Sequence, residues 1–150
     1  MKKIKLTFEK GGSLTVTPLA DMADTTECIT GIMPCDSKLV HTRYCGREIC
    51  FPIATKIKPP KDNLTCLANK FDVAYWRNWE SPADGLPGSP GAETISFYYG
   101  PEKLNFQTQP IYVSVFGRID PREEAILDEV GNRVWQCGFE DVHVELIDAE

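Results

Sequence analysis

Residues 39–51 read LVHTRYCGREICF, and this stretch decides the fold. Polar and apolar residues alternate on both sides of the central Cys-Gly pair, which is suited to a tight turn, so the stretch is predicted to form a β-hairpin. If that pair forms the loop, Arg43 lies opposite Glu48, and His41 lies opposite Cys50. A slip of one residue in the turn would change every pairing.

This pairing divides the hairpin into two faces. One face carries the polar residues His41, Arg43, Glu48 and Cys50. The other carries Val40, Thr42, Tyr44, Ile49 and Phe51, and it is the face that a small barrel would bury. The polar face is therefore either a plain exterior surface or the floor of a ligand site.

The polar face offers several kinds of chemistry. Arg43 presents a planar fork of donors for a carboxylate or an amide carbonyl, and Glu48 can orient or neutralise it. His41 can act as an acid or base near neutral pH, and it would favour the thiolate of Cys50. The alternatives are a surface ion pair and a histidine on an outer face. The sequence supplies no oxyanion site, which disfavours covalent catalysis.

Composition and charge limit the classes of function. The 150 residues fit one domain, 1–150, with a substantial core, and the contents of 42% apolar and 25% charged residues are ordinary for a globular protein. The net charge of −6, without a dense basic patch, disfavours nucleic acid and membrane partners. The basic start is not followed by an apolar run, so we predict a cytoplasmic protein without a signal peptide.

The six cysteines are predicted to be reduced in the cytoplasm. No Cys-x-x-Cys pair is present, and the two histidines lie far apart in the sequence. The sequence therefore predicts neither a metal site nor another cofactor.

The rest of the chain alternates between short strands and two helices. Strands are predicted in residues 3–8, 14–17, 71–79, 93–99, 111–119 and 142–147, besides the central hairpin. One helix is predicted within residues 20–33, and a second runs from Arg122 to about Val130, where Gly131 and Asn132 end it. About eight strands leave many exposed edges unless the sheet closes, so a closed antiparallel barrel is favoured over an αβ sandwich.

Residues 80–92 contain three prolines and three glycines and are predicted to form an irregular loop. Loops of this length are often functional, although a plain connection is the alternative. Glu93 and Tyr99 follow the loop and are candidates for the rim of a ligand site. The aromatic ring can equally belong to the core.

Three motifs resemble a bacterial family catalogued as a domain of unknown function, number 3830. They lie in residues 24–28, 41–48 and 93–101, and the last includes I-S-F-Y-Y-G-P. The resemblance spans most of the chain and implies a cyclophilin-like β-barrel. It implies no activity, because the family has none established.

Larger cyclophilin relatives are prolyl isomerases with a catalytic arginine in a Phe-His-Arg sequence. The nearest counterpart here is His41-Thr42-Arg43, which would place Arg43 at the catalytic position. No phenylalanine precedes His41, and residues 48–61 lack the aromatic and glutamine groups of a proline pocket. The resemblance therefore disfavours isomerase activity.

Two classes of function follow from these observations. The first is a small-molecule site at the barrel mouth, where Arg43, His41 and Glu48 hold an anionic or amide metabolite. The second is a noncatalytic module that forms an oligomer or accompanies a catabolic enzyme. The sequence does not decide whether the chain is an enzyme.

Overall fold

A computed structural model describes residues 1–79 and 93–149 and shows an antiparallel barrel. Within these ranges the barrel strands are β1 (Lys2–Phe8), β2 (Ser13–Pro18), β3 (Cys35–His41), β4 (Glu48–Pro52), β5 (Asp72–Arg77), β6 (Glu93–Tyr98), β7 (Val113–Ile119) and β8 (Glu140–Asp148). The order is β2-β1-β8-β3-β4-β6-β5-β7, and β7 pairs back onto β2. The predicted closed antiparallel barrel of about eight strands is confirmed, whereas its likeness to cyclophilin stays a prediction.

Short strand pairs lie outside the barrel. Leu64–Thr65 pairs with β7, Leu67–Ala68 with Glu102–Lys103, and Asn105–Phe106 with Gln109–Pro110. The sequence did not predict these pairs, because a strand of two residues is too short to show a period. The predicted loop at residues 80–92 lies outside the described residues.

Two helices pack on the barrel, as predicted: α1 (Ala23–Thr30) and α2 (Glu124–Cys137). Helix α2 buries Leu127, Val130 and Val134 on one stripe, and α1 buries Ile29. All four residues belong to the same hydrophobic core as the inward side chains of the strands. In the described part of the chain, no helix is long and apolar enough to cross a membrane.

The predicted end of α2 was wrong. The helix continues through Gly131 and Asn132 to Cys137, and Gly138, with φ +78°, follows it. A glycine in a helix costs about 1 kcal/mol relative to alanine. At Gly131 tertiary packing outweighs this cost, because the helix lies directly against the ring of Tyr99.

The predicted register of the central hairpin was also wrong by one residue. Val40 pairs with Cys50, and His41 pairs with Ile49. The cause is a 3-10 turn, Arg43–Cys45, which lengthens the connection beyond the expected two residues. Because side chains alternate between faces, this slip separates the four residues of the predicted polar face.

Each face of the β4–β6 region contributes to a separate hydrophobic cluster. The inward residues Ile49, Phe51 and Phe97 belong to the main core of the barrel. Tyr98, on the outward face, belongs to a smaller cluster that also contains Cys45, Ala68, Ala74, Leu104, Val113 and Val115. Glu48, which points outward from β4, is therefore buried beside this smaller cluster and not exposed to solvent.

Candidate functional site

The ends of β3 and β6 place His41 and Tyr99 together at one end of the barrel, here called the mouth. His41 pairs with Ile49, which pairs with Phe97, so these residues share the inward face. Tyr99 lies two residues beyond Phe97 and has the same orientation. Its hydroxyl lies 2.6 Å from Nε2 of His41, which is hydrogen-bonding distance.

His41 is neutral at physiological pH. Burial, and then the nearby Arg43 cation, lower the pKa of His41 to about 4. Its Nδ1 atom is buried and has no hydrogen-bond partner among the described residues. Since Nε2 is occupied by Tyr99, either tautomer leaves Nδ1 able to donate or accept one further hydrogen bond.

Arg43 lies beside this pair and stacks on Trp135 of α2. Its Cζ atom is 4.1 Å from the centre of the indole ring, and Nη2 donates to the Trp135 carbonyl. The indole in turn meets the His41 ring edge to face, with centroids 4.7 Å apart. A stack covers the face of a guanidinium, whereas a carboxylate binds its N–H edge, so the two contacts are compatible.

Gly131 lets Tyr99 reach His41. A Cβ atom at Gly131 would lie 2.5 Å from the Tyr99 ring, closer than any real contact. The glycine therefore allows the ring to lie flat against α2, where its hydroxyl meets the histidine. Gly131 is visible in the sequence, but we interpreted it as the end of the helix and not as a point of contact with Tyr99.

Arg47 also lies at the rim of the mouth, but unlike Arg43 it is paired with a carboxylate. Its Nε donates to Glu102 over 2.6 Å, and its Nη2 donates to the carbonyl of Pro101 over 3.0 Å. A Cβ atom at Gly100 would collide with this guanidinium, so glycine makes the approach possible. The charge of Arg47 is thus neutralised, whereas within the described ranges no carboxylate pairs with Arg43.

Glu48 lies on the opposite, outward face and does not meet Arg43. It is 4% exposed and accepts a hydrogen bond of 2.9 Å from the Tyr98 hydroxyl. Burial raises the pKa of Glu48 to about 7, although hydrogen bonds from Tyr98 and Ser96 lower it in part. The predicted cross-strand pair of Arg43 and Glu48 is therefore wrong.

Cys50 lies opposite Val40, and the predicted pair with His41 is wrong for the same reason. Its thiol accepts from the Thr42 hydroxyl over 3.1 Å, and burial raises the pKa of Cys50 to about 11. A thiol with this pKa is protonated at neutral pH and is a poor nucleophile. The geometry gives Cys50 no role as a thiolate next to imidazole.

Glu93 is at the other end of the barrel. The six residues of β6 separate it from the mouth by about 17 Å. Its carboxylate accepts from Lys58 over 2.5 Å, from the Tyr75 hydroxyl over 2.7 Å, and from both the main chain and the hydroxyl of Thr55. Burial alone would raise the pKa of Glu93, but these hydrogen bonds outweigh it and the pKa is lowered.

The structure therefore brings together three of the six predicted site residues, His41, Arg43 and Tyr99. It adds Trp135, which sequence reasoning missed because the helix was predicted to end near Val130, before this residue. Two grooves of 640 and 390 Å³ are lined by other residues of the described chain. In the described chain no group of three metal-ligating side chains is present.

The chain belongs to the family described as "Protein of unknown function (DUF3830)", whose sequence profile matches residues 6–146. The family predicted from the sequence is therefore confirmed. No curated protein matches the chain.

A solved structure described as McbB in complex with tryptophan has a similar fold. The TM-score is 0.63 at 17% sequence identity, and the match covers 95% of this chain and 44% of that one. The chain thus spans less than half the length of McbB. At this identity the likeness shows the fold alone.

Proposed function

We propose that this member of the DUF3830 family binds a small anionic or amide metabolite at the mouth of the barrel. The observation that carries the proposal is the arrangement of Arg43, fixed on Trp135, next to the neutral pair of His41 and Tyr99. A ligand carboxylate or amide carbonyl accepts from the N–H groups of Arg43 that the Trp135 carbonyl leaves free. We assign this binding to the cytoplasm, where the six unpaired cysteines remain reduced.

The charges at the mouth support an anion in particular. His41 adds no positive charge, because its pKa of about 4 keeps it neutral, and the Glu102 carboxylate at the rim is paired with Arg47. The Arg43 cation is therefore available to a ligand.

The other three predicted residues have structural roles in this proposal. Glu48 and Cys50 stabilise the packing between the barrel wall and the short outer strands. Glu93 closes a hydrogen-bonded cluster at the opposite end. McbB, whose fold is similar over 44% of its chain, was solved in complex with tryptophan, which carries a carboxylate, and this supports testing that class of compound first.

The experiment is a thermal-shift screen followed by calorimetry with acetate, pyruvate, benzoate, tryptophan, acetamide and urea. Arg43→Gln removes the guanidinium, and Arg77→Gln is the matched control, because Arg77 stacks on Trp79 at 4.8 Å at the other end of the barrel. We expect a ligand whose affinity falls at least tenfold in Arg43→Gln and is unchanged in Arg77→Gln. Equal affinity in the parent and Arg43→Gln would show that the assignment is wrong.

The second candidate is an oligomer-forming or accessory module, and the exposed apolar side chains favour it. Phe139 is 66% exposed directly after α2, and Leu67 is 61% exposed on a short outer strand. Light scattering of the purified chain over a range of concentrations tests this candidate. A mass above the monomer that falls in Phe139→Ser or Leu67→Ser would support it, and a monomer at every concentration would oppose self-association.

A further inference from the structure

The smaller of the two grooves, with a volume of 390 Å³, is formed by four segments of the chain. It is lined by Lys3 of β1, Thr17 of β2, Lys70 and Phe71 before β5, and residues 118–121 at the end of β7. None of these residues contributes to the site at the mouth. Sites for small molecules commonly have volumes of about 300 to 1,000 Å³, so the groove is large enough for a small metabolite.

Two of the charged residues in the groove are paired within the protein. The Asp120 carboxylate accepts from Nε of Arg122 over 3.1 Å and from its Nη2 over 2.6 Å. The Lys70 ammonium lies 2.8 Å from a carboxylate oxygen of Glu124 and 2.9 Å from one of Asp128. The charge of Lys70 is therefore fully balanced, and so is that of Asp120.

Lys3 and Arg118, by contrast, keep their donors. Among the described residues, Lys3 forms no ion pair, and neither side chain donates a hydrogen bond. Arg118 is 60% exposed, and its Nε lies 3.6 Å from Oδ1 of Asp72, which is longer than a hydrogen bond. Asp72 thus balances part of the Arg118 charge but leaves its N–H groups free. Two cations with free donors, from two different strands, therefore line one groove.

Phe71 lines the groove in a strained backbone conformation. Its φ of +79° lies in the left-handed region, which is sterically unfavourable for a residue with a Cβ atom. Two main-chain hydrogen bonds hold this conformation: the Phe71 N–H donates to the Tyr98 carbonyl over 3.0 Å, and the Phe71 carbonyl accepts from Ile119 over 2.8 Å. Backbone strain of this kind is concentrated at functional sites. Together with Ile119 and Pro121, Phe71 adds an apolar lining to the groove of the two cations.

We propose that this groove is a second binding site and takes a small organic phosphate, whose phosphate oxygens accept from Lys3 and Arg118 while its organic part packs on Phe71. A phosphate monoester carries roughly two negative charges at neutral pH and several acceptor oxygens, so it can bind an ammonium and a guanidinium at once. The groove shares no residue with the mouth, so this inference does not depend on the proposed function.

Calorimetry on the full chain at low salt, with phenyl phosphate as the probe, tests the proposal. We expect binding whose affinity falls about tenfold in Lys3→Gln and in Arg118→Gln, which is the effect of losing one charge-assisted hydrogen bond. Lys5→Gln is the matched control, because it removes the same charge from the same face of β1 but outside the groove. It should keep the parent's affinity.

The melting temperature shows whether the variants remain folded. Arg118→Gln removes the ion-pair partner of the buried Asp72 and should lower the melting temperature. Lys3→Gln breaks no ion pair and should leave it unchanged, so the effect of Lys3→Gln on affinity tests the site without a change in the fold.

Two comparison ligands define the class of ligand. Inorganic phosphate lacks the organic part, and benzoate lacks the second negative charge, so both should bind more weakly than phenyl phosphate. Either compound binding as tightly as phenyl phosphate would overturn the assignment of an organic phosphate.

Arg43→Gln separates this groove from the mouth, and it should leave the affinity for phenyl phosphate unchanged. No binding by the parent, or undiminished affinity in Lys3→Gln, overturns the second site. An affinity that falls in Arg43→Gln alone places phenyl phosphate at the mouth, which overturns the second site and supports the proposed function. Carboxylate binding that ignores Arg43→Gln overturns the proposed function and leaves the second site standing.

Discussion

The barrel carries an arginine stacked on a tryptophan at each end, and the two stacks differ in their neighbours. Arg43 lies on Trp135 beside the neutral pair of His41 and Tyr99. Arg77 lies on Trp79, whose ring meets that of Tyr75, a donor to Glu93. The stack at the mouth therefore lies beside a buried histidine nitrogen without a partner, and the stack at the other end lies beside a satisfied carboxylate. In the described part of the chain, Nε of Arg77 is also buried without a partner.

The difference shows that residue types do not by themselves identify a site. Glu93 accepts hydrogen bonds from three residues, Thr55, Lys58 and Tyr75, so its bonding capacity is spent within the protein. At the mouth, no carboxylate among the described residues pairs with Arg43, and Nδ1 of His41 is buried without a hydrogen-bond partner. We infer that the Glu93 end of the barrel stabilises the fold and that the mouth binds the ligand.

The largest effect should come from breaking the Glu93 cluster. Glu93→Ala leaves the Lys58 ammonium, 18% exposed, without its carboxylate and with only the Thr55 carbonyl as acceptor, and it leaves the buried Tyr75 hydroxyl without its acceptor. Removing one partner of a buried ion pair costs about 3 to 5 kcal/mol. Urea unfolding measures this cost, and Arg43→Ala is the matched change at the mouth. A cost for Glu93→Ala below that of Arg43→Ala would reverse the roles assigned to the two ends.

Glu48 should have the next largest effect on the free energy of unfolding, and this effect should depend on pH. The folded pKa of about 7 lies above the ordinary value of 4.5, so the folded state binds the proton more tightly than the unfolded chain does. Stability is therefore fully present below about pH 4.5 and is lost as the pH rises to 7, by on the order of 2 to 3 kcal/mol. Glu48→Gln keeps an acceptor for Tyr98 and should abolish this loss.

The Glu48 prediction is checked by urea unfolding at pH 5 and pH 8. Glu93 supplies the contrast, because its lowered pKa contributes stability above its ordinary pKa that is lost in acid. An unchanged difference between the two pH values in Glu48→Gln would show that another group is responsible.

Gly131→Ala should lower the free energy of unfolding by less than the changes at Glu93 and Glu48. It should alter the structure at the mouth alone. The added Cβ would meet the Tyr99 ring at 2.5 Å, and overpacking of this kind costs about 1 to 3 kcal/mol. Displacing the ring also lengthens the bond between its hydroxyl and His41. Asn132→Ala, one residue along on the exposed face, is the control and should be neutral or slightly stabilising. Equal melting temperatures for the two variants would contradict the account.

The two histidines should show the smallest effect, a difference in titration. Burial lowers the pKa of His41 to about 4, whereas hydrogen bonds to Asp36 and Glu145 raise the pKa of His143. The stabilisation from His143 is present below its unfolded pKa and is lost as the pH rises through its folded pKa. Proton NMR of the ring signals, assigned with His143→Gln, measures both values. A signal of His41 that titrates near pH 6.5 would show a solvated ring and weaken the description of the mouth.

Much of the fold could be predicted from the sequence, because alternation marks each long strand and the exposed edges favour closure. The register could not, since a 3-10 turn over Arg43–Cys45 leaves no distinct pattern in the residues. That one-residue slip put His41 on the inward face with Ile49 and left Glu48 and Cys50 on the outward face. The geometry of one turn therefore decided which side chains share a face. The alternation of polar and apolar residues does not reveal that geometry.

The candidate site could be predicted in part for the same reason. His41, Arg43 and Tyr99 were candidates by residue type, and the fold brings them together. Trp135 joins them only because α2 runs past Gly131 to Cys137, which the sequence pattern argued against. Tertiary contacts between distant segments decided both the extent of the helix and the composition of the site.

The most direct test of the account is an NMR titration that follows the indole N–H signals of Trp135 and Trp79. The parent is titrated with the acid that stabilises it most in the thermal screen. The account predicts a saturable shift of the Trp135 signal, abolished by Arg43→Gln, while the Trp79 signal stays in place. A saturable shift of Trp79 without one of Trp135 would place the ligand at the Glu93 end and contradict the assignment of the mouth as the binding site.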